Sequence, residues 1–241
     1  MAGIPDLEVF APEPARGRAD ATASPRTLTD LAYARLRDDI VHGRLEPGAK
    51  LRVEHLKKLY GVGATPLREA LSRLTSDGFV SAEGQRGFRV AEMSLAELDE
   101  ITNLRVVLEN LALAQSIRNG DDAWESGVVA AFHRLAKLEQ AEDPDLGQWE
   151  DRNRDFHLAL IAACTSQWLR RFYETLYDQH KRYRNLARID KSMPRDVHAE
   201  HKSIRDAALG RDVDRACAEN ERHIRRTADV TSRILRENTG V

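Results

Sequence analysis

Residues Gly61 to Leu74 read GVGATPLREALSRL, and this stretch decides the fold. Thr65 is suited to cap a helix that begins with Pro66, whose missing N–H and fixed φ fit a first helical position. Leu67, Ala70, Leu71 and Leu74 then recur at i, i+3, i+4 and i+7, which gathers them on one face and leaves Arg68, Glu69, Ser72 and Arg73 on the others. Such a helix buries one side in a core and keeps another free for a partner. Gly78 follows as a left-handed terminator. Two short β-prone pieces, Phe79 to Ala82 and Phe88 to Ala91, then flank the linker Glu83-Gly84-Gln85-Arg86-Gly87. The helix is therefore followed by a hairpin with a basic, glycine-flanked tip.

Upstream, Thr29-Asp30 opens a helix with Leu31, Leu36, Ile40 and Val41 on its apolar side, and Gly43 ends it. Pro47-Gly48 makes a turn, and Leu51, Val53, Leu56, Leu59 and Tyr60 form a second short helix that stops at Gly61. Helix, helix, tight turn, helix and hairpin together predict a winged helix-turn-helix over residues 27–92. Residues 1–26 mix Ala, Pro, Arg and Asp without apolar periodicity and are expected to be a disordered tail.

Charge supports a nucleic-acid partner locally rather than globally. The 241-residue chain has a net charge of −2, which argues against wholesale coating of DNA. Between Lys50 and Val90, however, eight Lys and Arg face four Asp and Glu. A local cationic face is what phosphate neutralisation requires. Two cysteines, Cys164 and Cys217, are too few for a disulfide scaffold and imply a reducing compartment. No apolar run approaches the ~20 residues of a membrane helix, and the start MAGIPDLEVFAPEPARG lacks a secretory pattern, so a cytoplasmic protein is expected.

From Ser94 onward the texture becomes long helical periodicity without strands. Capping boxes at Ser94-Leu95-Ala96-Glu97 and Asp122-Ala123-Trp124-Glu125 open helices running to Asn119 and Ala141. Further helices are predicted over Leu146 to Cys164, Ser166 to Ile189, Arg195 to Leu209 and Val213 to Asn238. Residues 93–241 thus read as an all-α six-helix bundle, and the chain as mainly α.

Polar residues interrupt three of the apolar stripes. Asn153 and His157, at i and i+4, lie among Trp149, Phe156, Leu160, Ile161 and Cys164. His201 shares a stripe with Val197, Ile204 and Ala208, while His223 and Asn220 share one with Val213, Ala216, Ile224, Thr227, Val230 and Ile234. A single inward histidine is compatible with a core imidazole bonded to backbone. Three need partners together, because an unpaired buried nitrogen costs on the order of 1–3 kcal/mol. A divalent metal (Zn, Ni, Fe, Mn or Cu) satisfies imidazoles and an oxygen donor at once. His198, one turn from His201, is a rival ligand.

These motifs, in this order, resemble the GntR transcriptional regulators. His42-Gly43-Arg44-Leu45-Glu46-Pro47-Gly48, Thr65-Pro66-Leu67-Arg68-Glu69-Ala70-Leu71, Gly78 and Arg86-Gly87 are similar to that family's winged domain. The bundle resembles the FadR-type ligand-binding domain (FCD) in its six-helix VanR branch. The resemblance implies DNA binding as a dimer on a palindromic operator and a metal held by one carboxylate and three histidines. It carries the metal ligands to Asn153, His157, His201 and His223, through Asn153-Arg154-Asp155-Phe156-His157, Glu200-His201 and the last-helix histidine. Two departures stand out: Val62-Gly63-Ala64 replaces Val-Ser-Arg, and Asn153 replaces the usual Asp, removing a negative charge from the ligand set.

The contacts expected on DNA are Arg68 and Thr65 for reading bases, with Arg52, Lys57, Lys58, Arg73 and the wing's Arg86 and Gly87 beside them. Arginine can bond guanine O6 and N7 together, whereas the other cations position the domain on phosphate. Arg105, in Leu104-Arg105-Val106-Val107-Leu108-Glu109, is read either as a clamp for a small carboxylate effector, with Asn220 as a second contact, or as the partner of Glu109. Tyr183 and Arg184 are further residues that could line the cavity. A regulator sensing an organic acid beside a metal is the leading reading. The alternative is a metal-dependent enzyme or structural-metal bundle whose N-terminal part is an interaction module, although no HExxH run is present.

Overall fold

The computed structural model describes residues 27–84, 87–187 and 195–239, so the expected tail over residues 1–26 and the wing residue Arg86 lie outside the described residues. Helix α1, Leu28–Val41, starts two residues earlier than Thr29-Asp30 implied. Its cap is Thr27, whose hydroxyl accepts from the Asp30 N–H at 3.1 Å. Strand β1, Lys50–Leu51, precedes α2, Val53–Tyr60. Leu51 therefore belongs to a strand rather than to the second helix, and two residues are too few for periodicity to declare them.

Helix α3, Ala64–Ser76, buries Leu67, Ala70, Leu71 and Leu74 as the spacing required. Its N-cap is Gly63, and Thr65 sits inside the first turn, so Thr65 does not cap it. Pro66 is still within that turn, where its missing N–H removes no helical bond. At the far end Gly78 adopts φ +77 and the Phe79 N–H reaches the Leu74 carbonyl at 2.9 Å, closing the helix with a left-handed residue. Strands β2, Val80–Ala82, and β3, Phe88–Val90, form the wing in antiparallel register, with β1 on the other edge of β3.

Leu36, Leu67, Leu71, Leu74 and Phe79 have no exposed surface and form the centre of this N-terminal unit. Leu71→Ala leaves a void there and is expected to lower unfolding free energy by about 2–5 kcal/mol, measured as a shifted urea midpoint at unchanged slope.

The bundle comprises α4 (Leu95–Asn119), α5 (Asp122–Glu139), α6 (Leu146–Leu160), α7 (Gln167–Ala187), α8 (Val197–Leu209) and α9 (Val213–Thr239), six helices among the described residues. Ser94 caps α4 as predicted, accepting from the Glu97 N–H at 3.1 Å. For α5 the cap is Asp121, not Asp122, and it accepts from the Trp124 N–H at 2.9 Å. Helix α6 ends at Leu160, four residues before Cys164, and the predicted end of α7 at Ile189 lies outside the described residues. Leu113, Val128, Phe156, Tyr173, Tyr177 and Ile204 fill the core.

Helix α7 also carries the contact with the winged unit. Asp178 pairs with Arg37 of α1 at 2.7 Å, and Gln179 donates to the Asp77 carbonyl at 2.7 Å. Arg182 donates to the Ala91 carbonyl at 2.8 Å. The opposite side of the same helix presents Tyr177 and Arg184 to the bundle's cavity.

Candidate functional site

Asn153 and His157 on α6, His201 on α8 and His223 on α9 are all buried, and one ligand nitrogen from each histidine lies within 4.8 Å of the other two. The ring centroids of His201 and His223 are 4.6 Å apart, and His157 stands 5.3 Å and 5.2 Å from them. The structure thus brings together the three histidines that the stripes singled out, and Asn153 lines the same cavity as His157 and His223.

Carboxylates orient two of the rings. His201 Nδ1 lies 2.6 Å from Glu139 Oε1, and His223 Nδ1 lies 2.9 Å from Glu200 Oε2. A carboxylate only accepts, so each Nδ1 carries the proton and each Nε2 keeps its lone pair. His201 Nε2 is buried without a hydrogen-bond partner, and so is Asn153 Oδ1, while the Asn153 amide donates to the Tyr177 hydroxyl at 2.9 Å. Two buried acceptors left bare beside two further imidazoles fit a cation, which would satisfy them together.

The electrostatics keep His157 and His223 in ligand form. Burial, with the nearby His223, His201, Arg105 and Arg184, holds His157 well below the ordinary histidine range. Burial also lowers His223 to about 3, against the opposing bond from Glu200. Burial alone would raise the carboxyls of Glu200 and Glu139, but the bonds from His223 and Arg195, and from His201 and His198, outweigh it and hold both below the usual range. Neutral imidazoles backed by ionised carboxylates are the arrangement in which metal-binding histidines are found.

Beside the histidines is a cavity of about 170 Å³, lined in part by Arg105, Arg184, Arg195, Tyr177 and Trp149. Each arginine has a glutamate: Arg105 donates to Glu109 at 2.6 Å, Arg184 pairs with Glu150, and Arg195 bonds Glu200 through two nitrogens. Arg105 is the partner of Glu109, as one of its two readings had it, and it also lines the cavity. Arg184 lines it as well. Tyr183 does not; its hydroxyl bonds Glu97 and the Ser94 N–H at the start of α4. Asn220 is likewise placed elsewhere, donating to Asn110 at 2.9 Å across the seam of α4 and α9. His198 turns to the other oxygen of Glu139, at 2.9 Å, and stays out of the triad.

Sequence reasoning missed Glu139, Glu150, Glu200 and Arg195 as members of the site. Glu139 is the last residue of α5, distant in sequence from His201, and only the packing of α5 on α8 reveals its role. Glu139→Gln, which keeps shape but removes the charge behind His201, is expected to weaken zinc affinity about 10–100-fold in a competitive chelator titration.

On the winged unit, Thr65 and Arg68 are exposed on α3, and Arg52 and Lys58 are exposed on and before α2. Lys57 pairs with Glu54 at 3.0 Å. Arg73 bonds Asp30 at 2.8 Å and lies over the Tyr33 ring at 4.4 Å, so its guanidinium is tied back to α1. Gly87 adopts φ +106 at the wing, a conformation open chiefly to glycine.

Residues 28–90 match the gntR family of bacterial regulatory proteins, and residues 100–226 match the FCD domain. The chain is 43% identical over 220 residues to the HTH-type transcriptional regulator BphR of Paraburkholderia xenovorans, covering 88% of this chain and 90% of that one. It is 37% identical over 205 residues to the HTH-type transcriptional repressor GlaR of Escherichia coli, with 82% and 93% covered. The fold is similar to that of E. coli McbR/YncC, with a TM-score of 0.75 at 23% identity over 86% of this chain and 98% of that one. These relatives are regulators, which decides against the enzyme reading.

Proposed function

Because the chain belongs to the gntR family of bacterial regulatory proteins, with an FCD domain behind its winged helix, and is a DNA-binding transcriptional regulator, we propose that it is a dimeric, metal-dependent sensor of a small carboxylate. One observation carries this reading: three buried histidines converge on one point, with a bare Nε2 on His201 and a bare Oδ1 on Asn153 among them. His157, His201, His223 and Asn153 would hold a divalent ion such as Zn, Ni, Fe or Mn. When bound, that ion supplies a positive centre able to take a carboxylate oxygen as a further ligand. Arg105, Arg184 and Arg195 surround the same cavity with guanidinium groups suited to the remaining oxygens. A volume of about 170 Å³ favours an acid of a few carbons over a long chain.

Binding there alters DNA affinity only through a difference between two arrangements of the winged units. Helix α7 is suited to carry that difference, because Tyr177 and Arg184 line the cavity while Asp178, Gln179 and Arg182 grip the winged unit. GlaR is named a repressor, and repression is the reading proposed here. The domain limits, 27–92 for the winged helix and 93–241 for the bundle, and the DNA contacts Arg52, Thr65, Arg68, Arg86 and Gly87 belong to the same proposal.

Operator fluorescence anisotropy tests it with three preparations: zinc-loaded protein, EDTA-stripped protein, and zinc-loaded protein with a panel of small mono- and dicarboxylates. At least one acid is expected to change operator affinity about 5–150-fold, and only in the presence of metal. An equal response in stripped protein would remove the metal from the mechanism.

A further inference from the structure

The buried polar atoms left bare around the histidines and the cavity are of two kinds. His201 Nε2 and Asn153 Oδ1 are acceptors and call for a cation. Two more, His180 Nε2 and Arg184 Nε, belong to α7 and are equally without a hydrogen-bond partner. The Arg184 Nε–H can only donate.

For His180 the tautomer decides. Its Nδ1 lies 3.3 Å from Arg184 Nη1, a group that only donates, so Nδ1 accepts. Burial, with the nearby Arg105, Arg184, His223 and Arg195, holds this ring well below the ordinary histidine range, so it is neutral and its one proton sits on Nε2. His201 thus presents a bare lone pair, whereas His180 presents a bare N–H. A metal takes the first and cannot take the second.

His180 has no exposed surface, and its position assigns it to the cavity wall. Tyr177, His180 and Arg184 are spaced at i, i+3 and i+7, one face of α7, and the first and last of them line the cavity. Arg105, Arg195 and His223, whose charges act on His180, line it too. Three guanidinium groups therefore set the field at its N–H, and the acceptor drawn there is anionic. Arg184 also pairs with Glu150, which holds the guanidinium in place and leaves its Nε–H over.

We propose that His180 Nε2–H and Arg184 Nε–H form a second anchoring point, which takes the far carboxylate of a short dicarboxylate whose near carboxylate is held at the metal. The proposal rests on the sensor reading above and narrows its ligand from a small carboxylate to a small dicarboxylate. Hydrogen bonds to an ionised oxygen are the strong ones, and a monocarboxylate would leave both donors buried and bare. A site built to bond a polar group rejects the analogue that lacks it.

Isothermal titration calorimetry on the zinc-loaded full chain tests this with unbranched diacids, malonate to adipate, each against the monocarboxylate of equal carbon number. At least one diacid is expected to bind about 10–100-fold more tightly than its monoacid. His180→Leu should abolish that ratio while zinc content and monoacid affinity stay in place. His180→Gln should restore most of it, because its amide can accept from Arg184 and donate onward. Nitrogen-15 histidine spectra of the unsubstituted protein give a readout free of any folding defect in a variant: the diacid should shift a resonance of the Nε2–H tautomer that the monoacid leaves unmoved. Equal affinity for diacid and monoacid, an unmoved Nε2–H resonance, or a zinc-loaded His180→Leu that keeps the diacid preference would overturn the anchor and leave the sensor reading standing. Failure of every acid of both classes to bind would overturn the two together.

Discussion

His201→Ala protein should leave a chelator-free purification without stoichiometric metal, while His198→Ala protein retains it. His201 has no exposed surface, its Nε2 is bare, and Glu139 fixes its ring, so it has no alternative donor to offer in its place. His198 shares the same glutamate but stays out of the triad, so its removal loosens a support rather than a ligand. Loss of an outer partner costs about 10–100-fold in metal affinity, and loss of a ligand is expected to cost at least the upper end of that range. Linkage gives a second readout. At a free zinc concentration a hundred times the dissociation constant, binding adds about 2.7 kcal/mol to the folded state. For a chain of this size that is a rise of about 5–10 °C in melting temperature. Zinc should raise the melting temperature of the unsubstituted protein and of His198→Ala, and leave that of His201→Ala in place. Comparing each variant with and without zinc separates this effect from any packing loss on removing a buried ring. An equal zinc response in His201→Ala would remove that residue from the ligand set.

The second large effect concerns DNA. Arg68→Ala is expected to weaken specific operator binding by roughly 1–3 kcal/mol, about 5–150-fold, and to relax preference at the base pair it reads. Arg68 is exposed on α3, the helix whose other face is locked into the core by Leu67, Leu71 and Leu74. Lys58→Ala should instead weaken all duplexes about equally and reduce the salt slope by about one, as loss of a phosphate contact does. Arg73→Ala is expected to act mainly on stability, because its guanidinium is engaged by Asp30 and Tyr33. Anisotropy at fixed ionic strength, with cognate and scrambled duplexes, distinguishes the three. Unchanged affinity and selectivity in Arg68→Ala would show that bases are read elsewhere.

Much of this was legible in the sequence, for a physical reason. Helical periodicity reports which face is buried, and so Leu67, Ala70, Leu71 and Leu74 declared the recognition helix before any coordinate did. The same logic exposed His157, His201 and His223, because a polar residue on an apolar stripe must find its partner inside. Their convergence on one point is a tertiary fact that the stripes only implied. What stayed hidden depends on contacts between distant segments. Strand β1 exists because Lys50 and Leu51 pair with Arg89 and Phe88, nearly forty residues away. Glu139 belongs to the site because α5 packs on α8.

Helix ends were misread by a residue or two where adjacent residues compete for one role. Thr27 rather than Thr29 caps α1, and Asp121 rather than Asp122 caps α5. Asn220 sits on a predicted inward stripe, but the nearest polar group across the seam is Asn110 rather than the cavity. An inward direction read from periodicity says that a side chain is buried, not what it meets.

The most direct test of the central claim is an anomalous difference map of the crystallised protein, purified without chelator or nickel resin and recorded above and below a metal absorption edge. The expected result is a single strong peak within coordination distance of His157, His201 and His223 and of the Asn153 carboxamide oxygen. A map with no peak there, and with side-chain density closing the space between the three rings, would contradict it.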